Sequence, residues 1–406
     1  MFRERSENVQ MSFPLLDTRA KPPGRRLSSA GIGLALCFAA ACSADVASAD
    51  FPQSSLVSSV SWDYGSMKAA AAGSDLWALA WASDGNQYTI WGDGGGFGGN
   101  DTNGRTQWGV ARIEGSAEAW RGVNVFGGVS PEAPGWPMQD TTGTGIGYKV
   151  DSMTAIDDSL VAIINNWAAY PSYTSKIIKS DDFGRSWKNS DGTPVNGASW
   201  DWPANTAGVG FRPLSFIDLG KGYSLSTDGY VYFYRESQGN KLFLGRTPKT
   251  SYMDKNSYTY RRSDGTWIAS IENADAVLQN DSVSGVNAIY HPYLKRYILT
   301  FNCTPGASSE ADMHDWMMLE GPSPWGPWYK IGEWHNWIDS TYKFQYRISP
   351  KWIADSSTFY LIFSGGSPQS TNTYDWDAFH VIKGTFQSAP VTDGTTPKPP
   401  SGLSIH

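Results

Sequence analysis

One local pattern recurs five times along the chain, and it limits the fold more than any other feature. An apolar run is followed by a short polar turn and a second apolar run rich in Tyr, Val, Ile or Phe. The first unit is Leu76 to Trp81, turn Ser83-Asp84-Gly85-Asn86, Tyr88 to Trp91; the second is Ser152 to Ile156, turn Asp157-Asp158, Leu160 to Ile164. The third runs Pro213 to Leu219, Gly220-Lys221-Gly222, Tyr223 to Ser226, Thr227-Asp228-Gly229, Tyr230 to Tyr234. The fourth is Val286 to Tyr290, His291-Pro292-Tyr293, Arg296 to Phe301, and the fifth Tyr346 to Ile353, Ala354-Asp355-Ser356-Ser357, Phe359 to Phe363. Successive units start roughly 60 to 75 residues apart, the length of a four-stranded blade with its loops. A β-sandwich would not repeat at this period. The pattern predicts an all-β, five-bladed β-propeller over residues 60–386.

Residue types agree. With 19 Trp, 20 Tyr, 17 Phe and 43 Gly but only 17% charged residues, the chain favours short strands and tight turns over helices. Flat aromatic rings also suit sugar faces, although most of them belong in a sheet core. Ser180-Asp181-Asp182-Phe183-Gly184-Arg185-Ser186-Trp187 fits the Asp-box pattern S-x-D-x-G-x-x-W. There Ser and Asp close a hairpin turn and Trp packs into the blade, so its role is structural.

The first 49 residues read as a leader. Arg25 and Arg26 precede Leu27 to Ala41, about the length of a signal-peptide core and too short for a permanent span. Ala47-Ser48-Ala49 before Asp50 is an A-x-A cleavage site, while Ala39-Ala40-Ala41-Cys42 resembles a lipobox that would place a lipid on Cys42. Either Met11 is the start or the arginine pair marks a twin-arginine signal. Both readings predict export to a periplasmic, extracellular or lipid-anchored location. Residues 50–59 read as a linker and 387–406 as a disordered Pro/Thr/Ser-rich tail. Cys37 and Cys42 belong to the leader and leave Cys303 alone, so no disulfide staples the mature domain. The net charge of −7 without any Lys/Arg run argues against a nucleic-acid partner. A monomer is expected, touching a membrane only through Cys42.

Propellers bind ligands where the loops feeding the innermost strands converge, so residues flanking the first strand of each unit are the candidates. Gly73-Ser74-Asp75 leads into one strand and Trp91-Gly92-Asp93-Gly94-Gly95-Gly96 closes the next. A turn centred on Asp84 would set Asp75 opposite Asp93. Like charges across a hairpin need a cation, a shared proton or a metal, and a carboxylate pair in a cleft is what glycoside hydrolysis uses. The glycines after Asp93 would let a ligand approach backbone. A structural calcium site or two exposed turn acids are the alternatives; no other cofactor is expected. Substrate-binding candidates at the other strand ends are Lys149, Asp151, Asn165 with Asn166, Arg212, Asn287, Gln345 and Arg347. His291, in a turn, reads as structural. No H-x-x-H or H-E-x-x-H spacing supports a zinc enzyme, and there is no G-x-S-x-G elbow or phosphate-binding glycine loop.

Gly73-Ser74-Asp75-Leu76 followed by Gly92-Asp93-Gly94 resembles the opening of the domain-of-unknown-function 4185 family. Further similar segments are Ser226 to Tyr232, Tyr290 to Tyr297, Pro324-Trp325-Gly326-Pro327-Trp328, Pro350-Lys351-Trp352-Ile353 and Asp377-Ala378-Phe379, in order across most of residues 60–386. The resemblance implies a five-bladed propeller related to the endo-D-arabinanases of glycoside hydrolase family 183. It also implies catalytic roles for the two aspartates, here Asp75 and Asp93. The expected function is hydrolysis of a polysaccharide or oligosaccharide. A lyase using Tyr290, His291, Lys149 and Arg347 and a non-catalytic glycan-binding propeller are the competing readings.

Overall fold

Aspartate at the tip of a hairpin organises several strand pairs in the computed structural model of the chain, which describes residues 50–133, 148–166, 174–195, 214–237, 240–305, 314–338, 342–366 and 377–389. The leader, Arg212 and the tail beyond residue 389 lie outside these. Asp84 accepts the Asn86 amide at 2.8 Å and the Tyr88 hydroxyl at 2.8 Å. Asp228 does the same for the Tyr230 amide at 3.1 Å and the Tyr232 hydroxyl at 2.6 Å. Each is an Asx turn tied to an aromatic residue four positions on, already inside the returning strand.

The chain opens with β1 (Val57–Ala70). Blade one is β2 (Asp75–Trp81), β3 (Gln87–Gly92), β4 (Trp108–Glu114) and β5 (Arg121–Phe126), hydrogen-bonded in that order. Blade two is β6 (Tyr148–Ile156), β7 (Ser159–Asn166) and β8 (Thr174–Ser180), its edge extended by a bridge from Lys179 to Lys188. Blade three is β9 (Leu214–Asp218), β10 (Tyr230–Ser237), β11 (Lys241–Pro248), β12 (Thr259–Arg261) and β13 (Trp267–Ile268), with β14 (Ala276–Gln279) also pairing β11. Blade four is β15 (Ser284–His291), β16 (Arg296–Asn302), β17 (Trp316–Gly321) and β18 (Tyr329–Trp334). Blade five is β19 (Lys343–Ile348), β20 (Thr358–Gly365) and β21 (Phe379–Ser388), completed by β1 as its outermost strand.

The innermost strands β2, β6, β9, β15 and β19 touch in sequence, and β19 meets β2 again, so the ring is closed. Where β9 and β15 pair directly they are parallel, Ala288 beside Ile217. This is the five-bladed β-propeller that the repeat predicts, each unit beginning at an inner strand.

Two expectations change. Residues 50–59 are not a free linker: β1 begins at Val57, opposite Ser388, and Ser54 donates from its amide to the Lys330 carbonyl at 2.9 Å. Apolar residues at Val57, Val60 and Trp62 face the core that blades four and five share, where Trp62 meets Trp316, Trp334 and Phe359. Tyr223 to Ser226 is not a strand either. Lys221–Tyr223 form a short 3₁₀ turn, and the buried Tyr223 hydroxyl accepts the Tyr232 amide at 2.7 Å.

Aromatic side chains fill the seams between blades. Trp316 stacks on Tyr346 with ring centroids 4.3 Å apart, joining blades four and five, and Trp77 meets Phe379 edge-on at 5.1 Å, joining blades one and five. The Ser180–Trp187 turn is closed by Asp182, which accepts from the Ser180 hydroxyl and the Ser186 amide and hydroxyl, while Trp187 packs edge-on against Trp108. Cys303 is buried and free. Among the described residues no helix is long and apolar enough to cross a membrane.

Candidate active site at the mouth of the channel

Four of the five inner strands carry a bulge near their first residues. The register slips between Asp75 and Ala78 in β2, Val150 and Ser152 in β6, Ser284 and Asn287 in β15, and Phe344 and Arg347 in β19. A bulge adds a residue, bends the strand and re-aims a side chain. Leu76, Trp77 and Gln345 adopt φ of 70°, 46° and 59° there, a left-handed conformation costing non-glycine residues about 1–2 kcal/mol each. Such strain repeated at one end of a ring is typical of a site.

The β2 bulge also corrects the expected pairing. Ala78 faces Ile90 and Trp81 faces Gln87 in the anticipated register, but Asp75 lies opposite Gly92, not Asp93. Asp93 follows Gly92 at the same end of the blade, with φ of 53°.

The bulge residue of β6 is Asp151. Its carboxylate accepts the Asn165 amide group, and Asn165 in turn accepts the Ser175 hydroxyl. Asp151 is partly exposed, yet enclosure by protein pushes its carboxyl well above the usual range; Glu236 adds to the rise and Arg347 opposes it. Glu236, near the end of β10, is 5% exposed and accepts the Val286 amide at 2.7 Å. Arg347, on β19, donates to the carbonyls of Leu76 and Asp151, both at 3.2 Å, and to Gln345 Oε1 at 2.6 Å. Burial lowers its pKa to about 9, against the attraction of Asp151. Asn287 also donates to Gln345 Oε1, at 3.4 Å. Blades two, three and five therefore bring two acids and one guanidinium to a shared channel.

A second cluster sits on the rim between blades one, two and five. Asp93 Oδ2 is paired with the Lys149 ammonium and lies 3.3 Å from Arg105 Nη2, and Arg105 also pairs with Asp101. Tyr342 donates its hydroxyl to Asp377 at 2.9 Å, and the Asp377 carbonyl accepts the Gly73 amide at 2.6 Å. Burial raises the Asp377 carboxyl to about 6; Asp93 and Asp101 push the same way, Tyr342 and Lys149 against it.

The glycine run after Asp93 serves close backbone packing. A Cβ on Gly94 would sit 2.1 Å from the Gly73 carbonyl oxygen and one on Gly95 2.0 Å from that of Asn103. The space expected for a ligand is taken by the chain itself. The like-charge problem is met here by cations of the chain, since Lys149 and Arg105 both pair with Asp93.

Asp75, Asp93, Lys149, Asp151, Asn165, Asn287, Gln345 and Arg347 thus gather at one end of the channel; Arg212 lies outside the described residues. Sequence reasoning gave no site role to Glu236, Asp377, Arg105 or Tyr342, although Asp377 opens one of the family-like segments. Glu236 lies near the end of a second strand as Asn165 does, and that shared position was the available signal. His291 is fully buried, its Nδ1 accepting the Leu294 amide at 3.2 Å.

No family model matches the sequence, and no curated protein matches it. Solved structures do resemble it. An α-L-arabinofuranosidase of Podospora anserina in complex with cellotriose is 10% identical over 81% of this chain and 98% of its own, with a TM-score of 0.47. The catalytic domain of a family 62 α-L-arabinofuranosidase of Coprinopsis cinerea is 10% identical over 82% and 99%, TM-score 0.46. A thermostable family 43 glycoside hydrolase is 12% identical over 81% and 97%, TM-score 0.42.

Proposed function

We propose that the chain is an exported glycoside hydrolase whose active site is the channel mouth where the inner strands begin. One observation carries this reading: Asp151, the bulge residue of β6, has a carboxyl group whose neutral form is favoured by its surroundings, and Arg347 ties its backbone to the residue after Asp75. Glycosidic cleavage needs a proton for the leaving oxygen and a carboxylate that serves as base or nucleophile. Asp151 is the proton donor in this reading. Asp75 is the base or nucleophile, and Asp93, flanked by Lys149 and Arg105, contributes the second carboxylate of the pair. Arabinan-like furanosides are the first substrates to try, on the strength of the resemblance in the Gly73–Leu76 and Gly92–Gly94 segments. Reducing-end release from arabinan and a panel of mixed polysaccharides tests it. Asp75→Asn and Asp151→Asn should each lower kcat by about 10²–10⁴-fold with melting temperature unchanged, and Asp93→Asn should also impair turnover. Undiminished turnover in all three variants removes the assignment. Glycan binding without turnover by the unmodified chain replaces it with the binding-module reading.

A further inference from the structure

We propose that Asp377 is a positioning residue of this site, a carboxyl group that shares Lys149 with Asp93 and holds the Gly73–Asp75 start of β2. The inference deepens the hydrolase reading and rests on it.

The backbone supports the placement. Gly73 donates its amide to the Asp377 carbonyl, and a Cβ on Gly73 would meet the Asp101 amide nitrogen at 2.4 Å. Gly94, directly after Asp93, packs against the same Gly73 carbonyl. The segment before β21, the loop after β3 and the start of β2 therefore meet at one glycine. The side chains meet as well. Tyr342, just before β19, orients the Asp377 carboxyl through its hydroxyl. Asp93 and Asp101 from the β3–β4 loop and Lys149 from β6 are the charged groups acting on it. Blade five thus brings a carboxyl group within electrostatic reach of the ammonium that blade two offers to Asp93 of blade one.

Charge makes this more than a strut. Burial pushes the Asp377 carboxyl up to about 6. Above that, Lys149 answers to two carboxylates; below it, Asp93 has the ammonium to itself. An alcohol, amide or methyl group in place of Asp377 could hold Gly73 through the same backbone bond but could not make that exchange.

The test is a ¹³C-carboxyl NMR titration of the full mature chain, followed by kinetics. In the unmodified chain Asp377 should titrate near pH 6. Asp93→Asn, which removes a neighbouring negative charge, should lower that midpoint, and Lys149→Met, which removes a positive one, should raise it. Midpoints unmoved in both variants overturn the proposal, whether or not any saccharide is cleaved. With turnover, Asp377→Asn should abolish the inflection of kcat near pH 6 and leave KM within roughly twofold; an equal loss of kcat at every pH with that inflection retained overturns it. Opposite shifts in the two variants with no saccharide hydrolysed would uphold the Asp377–Asp93 link and remove the hydrolase reading alone.

Discussion

Arg347 donates from Nη2 to the backbone carbonyl of Asp151 across 3.2 Å. Its Nε reaches the Leu76 carbonyl at the same time, so one planar guanidinium clamps the bulges of blades one and two from blade five. A lysine has a single point of attachment and cannot span both. Arg347→Lys should therefore lower kcat/KM by roughly 10²-fold with a smaller loss of thermal stability. Unchanged kcat/KM on a cleaved polysaccharide would refute the clamp.

Glu236 raises the Asp151 carboxyl. Removing that negative charge lets Asp151 lose its proton at lower pH. In Glu236→Gln the alkaline limb of the kcat profile should move to lower pH, while the acid limb stays in place. A limb that moves upward or not at all contradicts the coupling.

His291 predicts acid sensitivity. Burial lowers its pKa to about 4, against 6.5 in an unfolded chain. The unfolded state takes the proton first, so stability is complete above pH 6.5 and declines as pH falls towards 4. The loss amounts to about 3 kcal/mol. Denaturant melts of the unmodified chain and His291→Gln between pH 4 and 7 should show a difference that varies with pH in this window. A pH-independent difference would exclude it.

Asp218 works the other way. It lines a cavity of about 30 Å³ in the channel together with Ser152, Asn287, Thr300 and Arg347. Burial raises its carboxyl to about 7, although it accepts the Gly220 amide at 2.8 Å. Its neutral form is therefore the one the fold prefers, and that preference is lost as pH rises from 4 through 7. Asp218→Asn keeps an acceptor for Gly220 and should be more stable than the unmodified chain at pH 8, by roughly 1–3 kcal/mol. The two should converge near pH 4 in calorimetry.

Asp182 accepts from the Ser180 hydroxyl at 2.8 Å, the Ser186 amide at 2.9 Å and the Ser186 hydroxyl at 2.6 Å. Asp182→Ala should cost about 1–3 kcal/mol in denaturant melts without altering kcat, because the turn is at the edge of blade two. A kcat change at constant stability would connect that edge to the site.

Hairpins and their order were legible because they depend on neighbours in sequence: an aspartate at a turn and apolar residues alternating on either side. Even the register from Ala78 to Trp81 follows from where the turn is centred. The bulge was not legible. It moves Asp75 by one partner across Leu76 and Trp77, and Trp77 packs on Phe379, about 300 residues onward. Glu236 and Asp377 were missed for a related reason. Their partners are remote in sequence: Glu236 accepts the Val286 amide and acts on Asp151, and Asp377 meets Tyr342 and Gly73. The start of β1 escaped notice because Val57, Ser58 and Ser59 read as linker, and only pairing with β21 makes them a strand.

That pairing has a temporal consequence. The strand that seals the ring on one side is made first and its partner last, so Val57 cannot find Ser388 until nearly all of the intervening chain exists. Four blades can assemble as they emerge, each from local hairpins, but the fifth must wait with its outer seat empty. Rejoining the two ends by a short connector and opening the chain between two other blades would let the closing blade form from one continuous stretch, and such a circular permutant should fold faster than the natural order.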